Sequence, residues 1–207
     1  MARGFRRKGS GRHARYVAQL DPLERATVSG LMDQVRDLLE PQPLPEGDDA
    51  FSSIVAGLGM GVTVAAEDQV GLDAGGADRD PALERLLPTA NRQDDEAAAE
   101  FRRLTETGLR QRKATALEAA AEALRHDDDR LRLDDEEARA FLTALTDVRL
   151  VLGERMGLRT DGDVEELEAT ASELDDDDPL GYALAVYDFL TWLQETLASA
   201  MLSGLGR

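Results

Sequence analysis

Apolar residues recur at every third or fourth position in several segments of the chain, which is the spacing of a helix that buries one face. The clearest stripes lie in residues 22–40, 134–156 and 179–201, and weaker ones lie in residues 81–88 and 94–125. Short capping sequences precede two of the stripes. Asp21 and Asp134 are each followed by a glutamate three residues later, which predicts a capping box at a helix start. The pattern therefore predicts a mainly α protein, built as a helical bundle.

Two short runs that precede Asp21 are extended instead, and they flank the turn-forming sequence Lys8-Gly9-Ser10-Gly11. This arrangement predicts a small N-terminal β-hairpin. A further short extended piece is predicted at residues 130–133. Residues 41–80 are rich in proline and glycine, which predicts a long flexible loop. We expect a single helical domain over residues 1–207, with 41–80 as a flexible insert.

The C-terminal helix carries apolar side chains on two faces. One face is a heptad-like stripe that includes Leu190, Leu193 and Leu197, and the other carries Tyr182, Phe189 and Trp192. A helix that is apolar on more than one face lies at the centre of a bundle or at an interface. We expect this helix to be central to the core, and residues 94–125, broken at Gly108, to cover its second face.

One sequence motif occurs twice within the chain. Leu20-Asp21-x-x-Glu24 matches Leu133-Asp134-x-x-Glu137, and the apolar stripes that follow the two motifs coincide when the chain is aligned on them. Two interpretations stay open. The chain contains a structural repeat of an extended stretch followed by a capped helix, or any two capped helices look alike when their caps are aligned.

Cysteine is absent from the sequence, which excludes disulfides, thiolate catalysis, a thiol redox switch and cysteine-ligated metal. No stretch approaches the roughly 18 consecutive apolar residues that a membrane span needs. The basic N-terminus lacks the apolar region of a secretory signal. We therefore expect a cytoplasmic protein with no membrane contact.

Charge is distributed unevenly along the chain. The formal net charge is -18, yet the segment from Met1 to Arg15 contains no acid. The basic side chains of this segment are Arg3, Arg6, Arg7, Lys8, Arg12 and Arg15. Such a segment is either a solvated hairpin surface or a contact site for nucleic acid or an acidic protein. Because an acidic body repels nucleic acid, we do not expect nucleic acid as the main partner.

The sequence contains no strong motif for a catalytic, metal or cofactor site. His13 and His126 are far apart, and the glycines at 57, 59 and 61 do not form a phosphate-binding loop. We expect no enzymatic activity, no metal and no cofactor. The best polar constellation is a candidate interaction groove on two helices, formed by Asp147, Arg149, Asp188, Phe189, Trp192 and Glu195. Arg149 is expected to be clamped by a carboxylate from the neighbouring helix, either as a structural ion pair or as part of a binding groove.

Several segments together resemble a known family. They are Arg85-Leu86-Leu87-Pro88, Glu100-Phe101-Arg102 with Lys113, the stretch from Leu145 to Gly153, and the stretch from Val186 to Glu195. In this order and spacing they resemble the actinobacterial domain-of-unknown-function family numbered twenty-seventeen. The resemblance covers nearly the whole chain.

The resemblance implies a small cytoplasmic protein without catalytic residues. In this family the gene commonly lies beside that of the ClpS adaptor of Clp proteolysis, and some members are described as transcriptional regulators. We therefore expect a non-enzymatic regulatory or adaptor protein that acts through protein contacts, with the Clp or transcription machinery or a second copy of the chain as candidate partners. The alternatives are a transcription regulator that uses the basic N-terminus, and an enzyme that uses carboxylates.

Overall fold

The computed structural model describes residues 2–40, 80–88, 95–126, 130–158, 160, 162–163 and 179–204. Five helices lie in this part of the chain, and their bounds are α1 Pro22–Leu39, α2 Pro81–Leu86, α3 Asp95–Arg125, α4 Asp135–Arg155 and α5 Pro179–Leu202. The strands are β1 Arg3–Lys8, β2 Arg15–Gln19 and β3 Arg130–Leu133. The prediction of a mainly α protein with a small N-terminal β element is confirmed.

The described residues belong to one compact unit, which comprises Met1–Glu40 and Asp80–Arg207. The flexible insert predicted for residues 41–80 lies outside the described residues, except for Asp80. Asp80 accepts a hydrogen bond from the Ala82 N–H and caps α2. Two ion pairs, Arg85–Glu154 and Arg155–Asp80, then fix α2 against the C-terminal part of α4.

The hairpin is part of a three-stranded antiparallel sheet, because β3 pairs with the free edge of β2. Side chains alternate across this sheet. Phe5, Tyr16, Ala18, Leu131 and Leu133 are buried against the helices, while their neighbours face outward. The connection between β1 and β2 needs glycine, since Gly9 has φ 78° and a Cβ there would lie 2.7 Å from the His13 carbonyl oxygen.

The register of the sheet bears on the question of the internal repeat. Asp21 and Asp134 each form a capping box, so α1 and α4 begin at equivalent positions of the two motifs. Ala18 pairs with Leu131, and each of these residues lies three positions before the capping aspartate of its own motif. A local two-fold axis between them would exchange β2–α1 with β3–α4. The antiparallel register is therefore compatible with a structural repeat.

The centre of the fold is α4, whereas the sequence pattern predicted the C-terminal helix. Helix α4 contacts the four other helices and strands β2 and β3. Helix α5 buries Leu184, Leu190, Leu193, Leu197 and Ala200, but its second apolar face is only partly covered. Helix α3, the expected cover, packs against α1 and α4 through Leu117, Ala120, Ala121 and Leu124.

The break predicted at Gly108 does not occur. Helix α3 runs continuously from Asp95 to Arg125. A glycine inside a helix costs only about 1 kcal/mol relative to alanine, and the helical residues on either side offset that cost. By contrast, α4 ends as predicted at Gly157, where φ is 77° and the Leu158 N–H donates to the Gly153 carbonyl in a Schellman arrangement.

Candidate functional site

Asp147 is the one buried charged residue among the described residues, with 1% of its surface exposed. Lys113 of α3 reaches it across the helix interface, and the Lys113 Nζ lies 2.5 Å from Asp147 Oδ1. Burial raises the pKa of the Asp147 carboxyl, and the hydrogen bond and charge of Lys113 oppose that shift. This pair joins α3 to α4 and is enclosed in the protein.

Arg149 points to a different helix. Its guanidinium donates to Gln194 Oε1 at 2.8 Å and to the Tyr187 hydroxyl at 3.3 Å, and it lies 5.0 Å from the Tyr187 ring centroid. The carboxylate clamp predicted for Arg149 is therefore replaced by neutral groups of α5 and a cation–π contact. Asp147 and Arg149 are two residues apart on a helix, so their side chains lie on opposite sides and cannot share one groove.

The other residues of the predicted groove are spread along α5. Asp188 and Glu195 are exposed, and Glu195 lines a shallow groove beside Arg6 and Arg7 of β1. Phe189 and Trp192 are half-buried and pack on each other, with ring centroids 5.7 Å apart. The structure thus separates the six residues: Asp147 lies in a buried ion pair, Arg149 in a helix–helix contact, Phe189 and Trp192 in a partly covered aromatic pair, and Asp188 and Glu195 on the exposed surface.

The outer face of the sheet brings together a different set of basic side chains from the one that the sequence predicted. None of the three strands contains an acidic residue. Arg3, Arg6 and Lys8 of β1 and Arg15 of β2 are exposed, as the basic N-terminal segment predicted. Arg7 instead lies between strand and helix, half-buried, and the side chain of Arg12 lies outside the described part of the structure.

The β2–β3 pairing adds Arg130 and Arg132, both exposed, to this surface. We call the outward-facing set the basic sheet face, and its members are Arg3, Arg6, Lys8, Arg15, Val17, Gln19, Arg130 and Arg132. The two arginines of β3 are remote in sequence from the N-terminus and do not belong to its run of basic residues. Their signal in the sequence is the alternation Arg-Leu-Arg-Leu, typical of a half-buried strand.

Pairing arranges the basic sheet face in rows that run across the strands. Arg3 pairs with Gln19, which pairs with Arg130, and Arg6 faces Val17, which pairs with Arg132. Lys8 and Arg15 form the third row. Val17 and Gln19 therefore form a neutral floor between two columns of cations, and a shallow depression lies over them. Such an arrangement can bind an anionic chain but holds no group for covalent chemistry.

No cluster of three or more potential metal ligands occurs among the described residues. None of the helices in that part of the chain combines the length and apolar character needed to cross a bilayer.

Comparisons with known proteins place the chain in context. A family model described as a domain of unknown function (DUF2017) matches residues 2–201. Proteins named oxidative stress regulator AosR from Mycobacterium tuberculosis (strain ATCC 25618 / H37Rv) and Mycobacterium bovis (strain ATCC BAA-935 / AF2122/97) are 26% identical over 203 residues, covering 91% of this chain and 83% of each relative. A relative from Mycobacterium leprae (strain TN), provisionally given the same name, is 33% identical over 149 residues, which span 64% of each chain. No solved structure matches the chain.

Proposed function

The chain belongs to the DUF2017 family, and we propose that it is a regulatory protein that acts by binding another protein through the basic sheet face and catalyses no reaction. The names of its relatives support a regulatory role. The observation that carries the proposal is the basic sheet face itself. Six basic side chains and no acid lie on the outer face of three strands, in a protein whose net charge is -18.

The positions of the other polar groups support a binding function over a catalytic one. Asp147, the buried carboxylate, is held by Lys113, and Arg149 is held by Gln194 and Tyr187. Both sets connect helices of the bundle. The basic sheet face by contrast lies on the outer side of the sheet, and it is built on backbone that is hydrogen-bonded on both sides of β2. A rigid surface of one charge sign is suited to selecting a partner of the opposite sign.

A second candidate function is contact with nucleic acid, as in a transcription regulator, because the basic sheet face is a contiguous positive surface. The charge of the whole molecule weakens this candidate. The sheet face is a small positive area on a protein with net charge -18, which repels a long polyanion beyond the area of contact.

Crosslinking in living cells tests the proposal. A photoreactive amino acid is placed at Val17, in the floor of the basic sheet face, and in a control at Gln34, which is exposed on α1. We expect Val17 to crosslink a defined protein that Gln34 does not, and we expect Arg6→Glu with Lys8→Glu to remove that product. Crosslinks from Val17 to nucleic acid alone would support the second candidate and contradict the first.

A further inference from the structure

We propose that the basic sheet face binds an extended acidic segment of its protein partner, in which carboxylate residues alternate with uncharged ones. This inference rests on the proposed function and adds the chemistry and conformation of the partner. The three rows of the face supply the geometry. Each row contains at least one exposed cation from β1, namely Arg3, Arg6 or Lys8.

The spacing of the rows selects an extended chain. Adjacent outward positions on β2 and β3 are two residues apart, or roughly 6.6–6.8 Å. On β1 an irregularity in the register puts Arg3 and Arg6 three residues apart, yet they still lie opposite Gln19 and Val17. Alternate side chains of an extended peptide have the same spacing. A segment lying along β2, over Val17 and Gln19, would therefore place one carboxylate in each row. A block of consecutive acids would direct every second carboxylate away from the sheet.

The width of the face fits a single chain. Neighbouring strands are about 4.8 Å apart, so the outer columns on β1 and β3 are separated by about 10 Å. The short neutral side chain of Val17 and the amide of Gln19 let a backbone approach between these columns. Arg3, Arg6 and Lys8 are then within reach on one side, and Arg130 and Arg132 on the other.

The side chains of the sheet argue against single-stranded nucleic acid. Sheets that bind single strands stack bases on exposed aromatic rings. Phe5 and Tyr16, the aromatic residues of these strands, are buried on the opposite face, where Phe5 packs edge-on against Phe141. The outward positions of the three strands, all of them described, offer no ring to a base.

The size of the face argues against a duplex. Double-stranded DNA carries about one charge per 1.7 Å of its axis, and those charges continue beyond a strand of four to six residues. The continuing phosphates would meet a protein surface that is acidic overall. A short acidic peptide segment places its charge only over the sheet.

Fluorescence anisotropy with the full chain tests the inference. One labelled peptide alternates glutamate and serine, and a second has the same composition with its glutamates in one block. Oligothymidylate and a short DNA duplex are the other two probes. We expect the alternating peptide to bind about threefold or more tightly than the block peptide, and more tightly than either DNA. Equal binding of the two peptides, or preference for either DNA, would overturn the inference.

Matched charge-reversal variants locate the binding site. Arg6→Glu with Lys8→Glu should weaken binding of the alternating peptide about tenfold or more, since two attractions become repulsions. Arg112→Glu with Arg139→Glu changes the net charge equally at exposed positions of α3 and α4, and should change the affinity less than about threefold. Equal losses in both variants would show that net charge alone binds the peptide, and that result would overturn the proposed site.

A smaller change tests the same surface with less risk that the strand misfolds. Gln19→Glu changes one floor residue to a carboxylate of the same size, between Arg3 and Arg130, and should also weaken the alternating peptide. Unchanged affinity in this variant would contradict the placement of the segment along β2. If sedimentation of the wild type instead shows a salt-sensitive oligomer that Arg6→Glu with Lys8→Glu abolishes, and no peptide binds, the occupant is a second copy and the inference is wrong.

Failure of this inference can be told apart from failure of the proposed function. If Val17 crosslinks a protein in cells in a manner that depends on Arg6 and Lys8, while no alternating peptide binds in solution, the proposed function stands and the chemistry assigned to the partner falls. If the peptide binds in solution but Val17 crosslinks no protein in cells, the proposed function falls, and with it the assignment of this peptide chemistry to a partner of the protein.

Discussion

Lys113 is the side chain whose removal tests the buried ion pair with Asp147 most simply. Lys113→Met leaves the Asp147 carboxylate buried without its partner, and we expect a loss of roughly 3–5 kcal/mol in the free energy of unfolding. Lys113→Met combined with Asp147→Leu removes both charges and should recover most of that loss. Urea unfolding of the wild type, Lys113→Met, Asp147→Leu and the double variant measures both effects. A double variant less stable than both single variants would contradict a pair whose role is mainly mutual neutralisation.

The pH dependence of the same proteins provides a second readout. Burial raises the pKa of Asp147 above its ordinary value of 3.8, so near that pH the folded protein binds more protons at this site than the unfolded chain. The stability contributed by this carboxyl is therefore present at pH below 3.8 and is lost as pH rises through its raised pKa. Relative to the double variant, the wild type should be most stable at the acid end of the series.

The side-chain contacts of the site were the feature that the sequence predicted least well. Asp147 and Arg149 were grouped because they are close in sequence, but their partners lie on α3 and α5, respectively. The side chain that each residue contacts depends on which helix packs against each side of α4, and the local sequence contains no pattern that predicts this packing. Lys113 did carry a signal, because it is one of two lysines in a chain whose other basic side chains are almost all arginine.

At the scale of elements, β1 and α5 lie so close together that adding one methyl group at Gly4 tests their contact. A Cβ at Gly4 would lie 2.6 Å from Thr196 Cγ2, beside the hydrogen bond from the Phe5 N–H to Thr196 Oγ1. Gly4→Ala should therefore cost about 1–3 kcal/mol in the free energy of unfolding, because strand or helix must shift. Thermal or urea unfolding measures the change.

Gly30→Ala is the matched control. Gly30 lies inside α1, and a Cβ there would meet nothing within 4 Å. The same substitution should stabilise the protein by about 0.5–1 kcal/mol, since alanine favours the helix. Loss of stability at Gly30, or none at Gly4, would be inconsistent with the contact between β1 and α5.

Most elements could be predicted from the sequence because their determinants are local. Capping boxes at Asp21 and Asp134 and the stop at Gly157 depend on residues within a turn of each other. Pairing of β3 with β2 was not predictable in this way, since it joins segments that are remote in sequence. The repeated capping motif was the available hint, and the register at Ala18 and Leu131 gives it a structural meaning.

At the scale of the whole molecule, the sign of the charge changes between the sheet and the rest of the protein. The net charge of -18 makes the basic sheet face the exception on the surface and gives a long-range field that repels polyanions. A short acidic segment can still bind, because screening limits the repulsion to about 8 Å at physiological ionic strength. The face is therefore expected to select a short acidic segment over a long polyanion.

The names of the relatives are relevant to how this surface acts. The relatives are named for a response to oxidative stress, and this chain has no cysteine through which it could sense an oxidant as a thiol. A regulator of this composition can respond through the partner that it binds. The basic sheet face is therefore the part of the molecule on which we expect the regulatory effect to depend.

Complementation tests that dependence most directly. In cells that lack the native gene, the wild-type protein and the variant with Arg112→Glu and Arg139→Glu should restore the parent strain's pattern of protein abundance. The variant with Arg6→Glu and Lys8→Glu, matched in charge and in protein level, should fail to do so. Full restoration of that pattern by the sheet variant would contradict the claim that the basic sheet face is the regulatory surface.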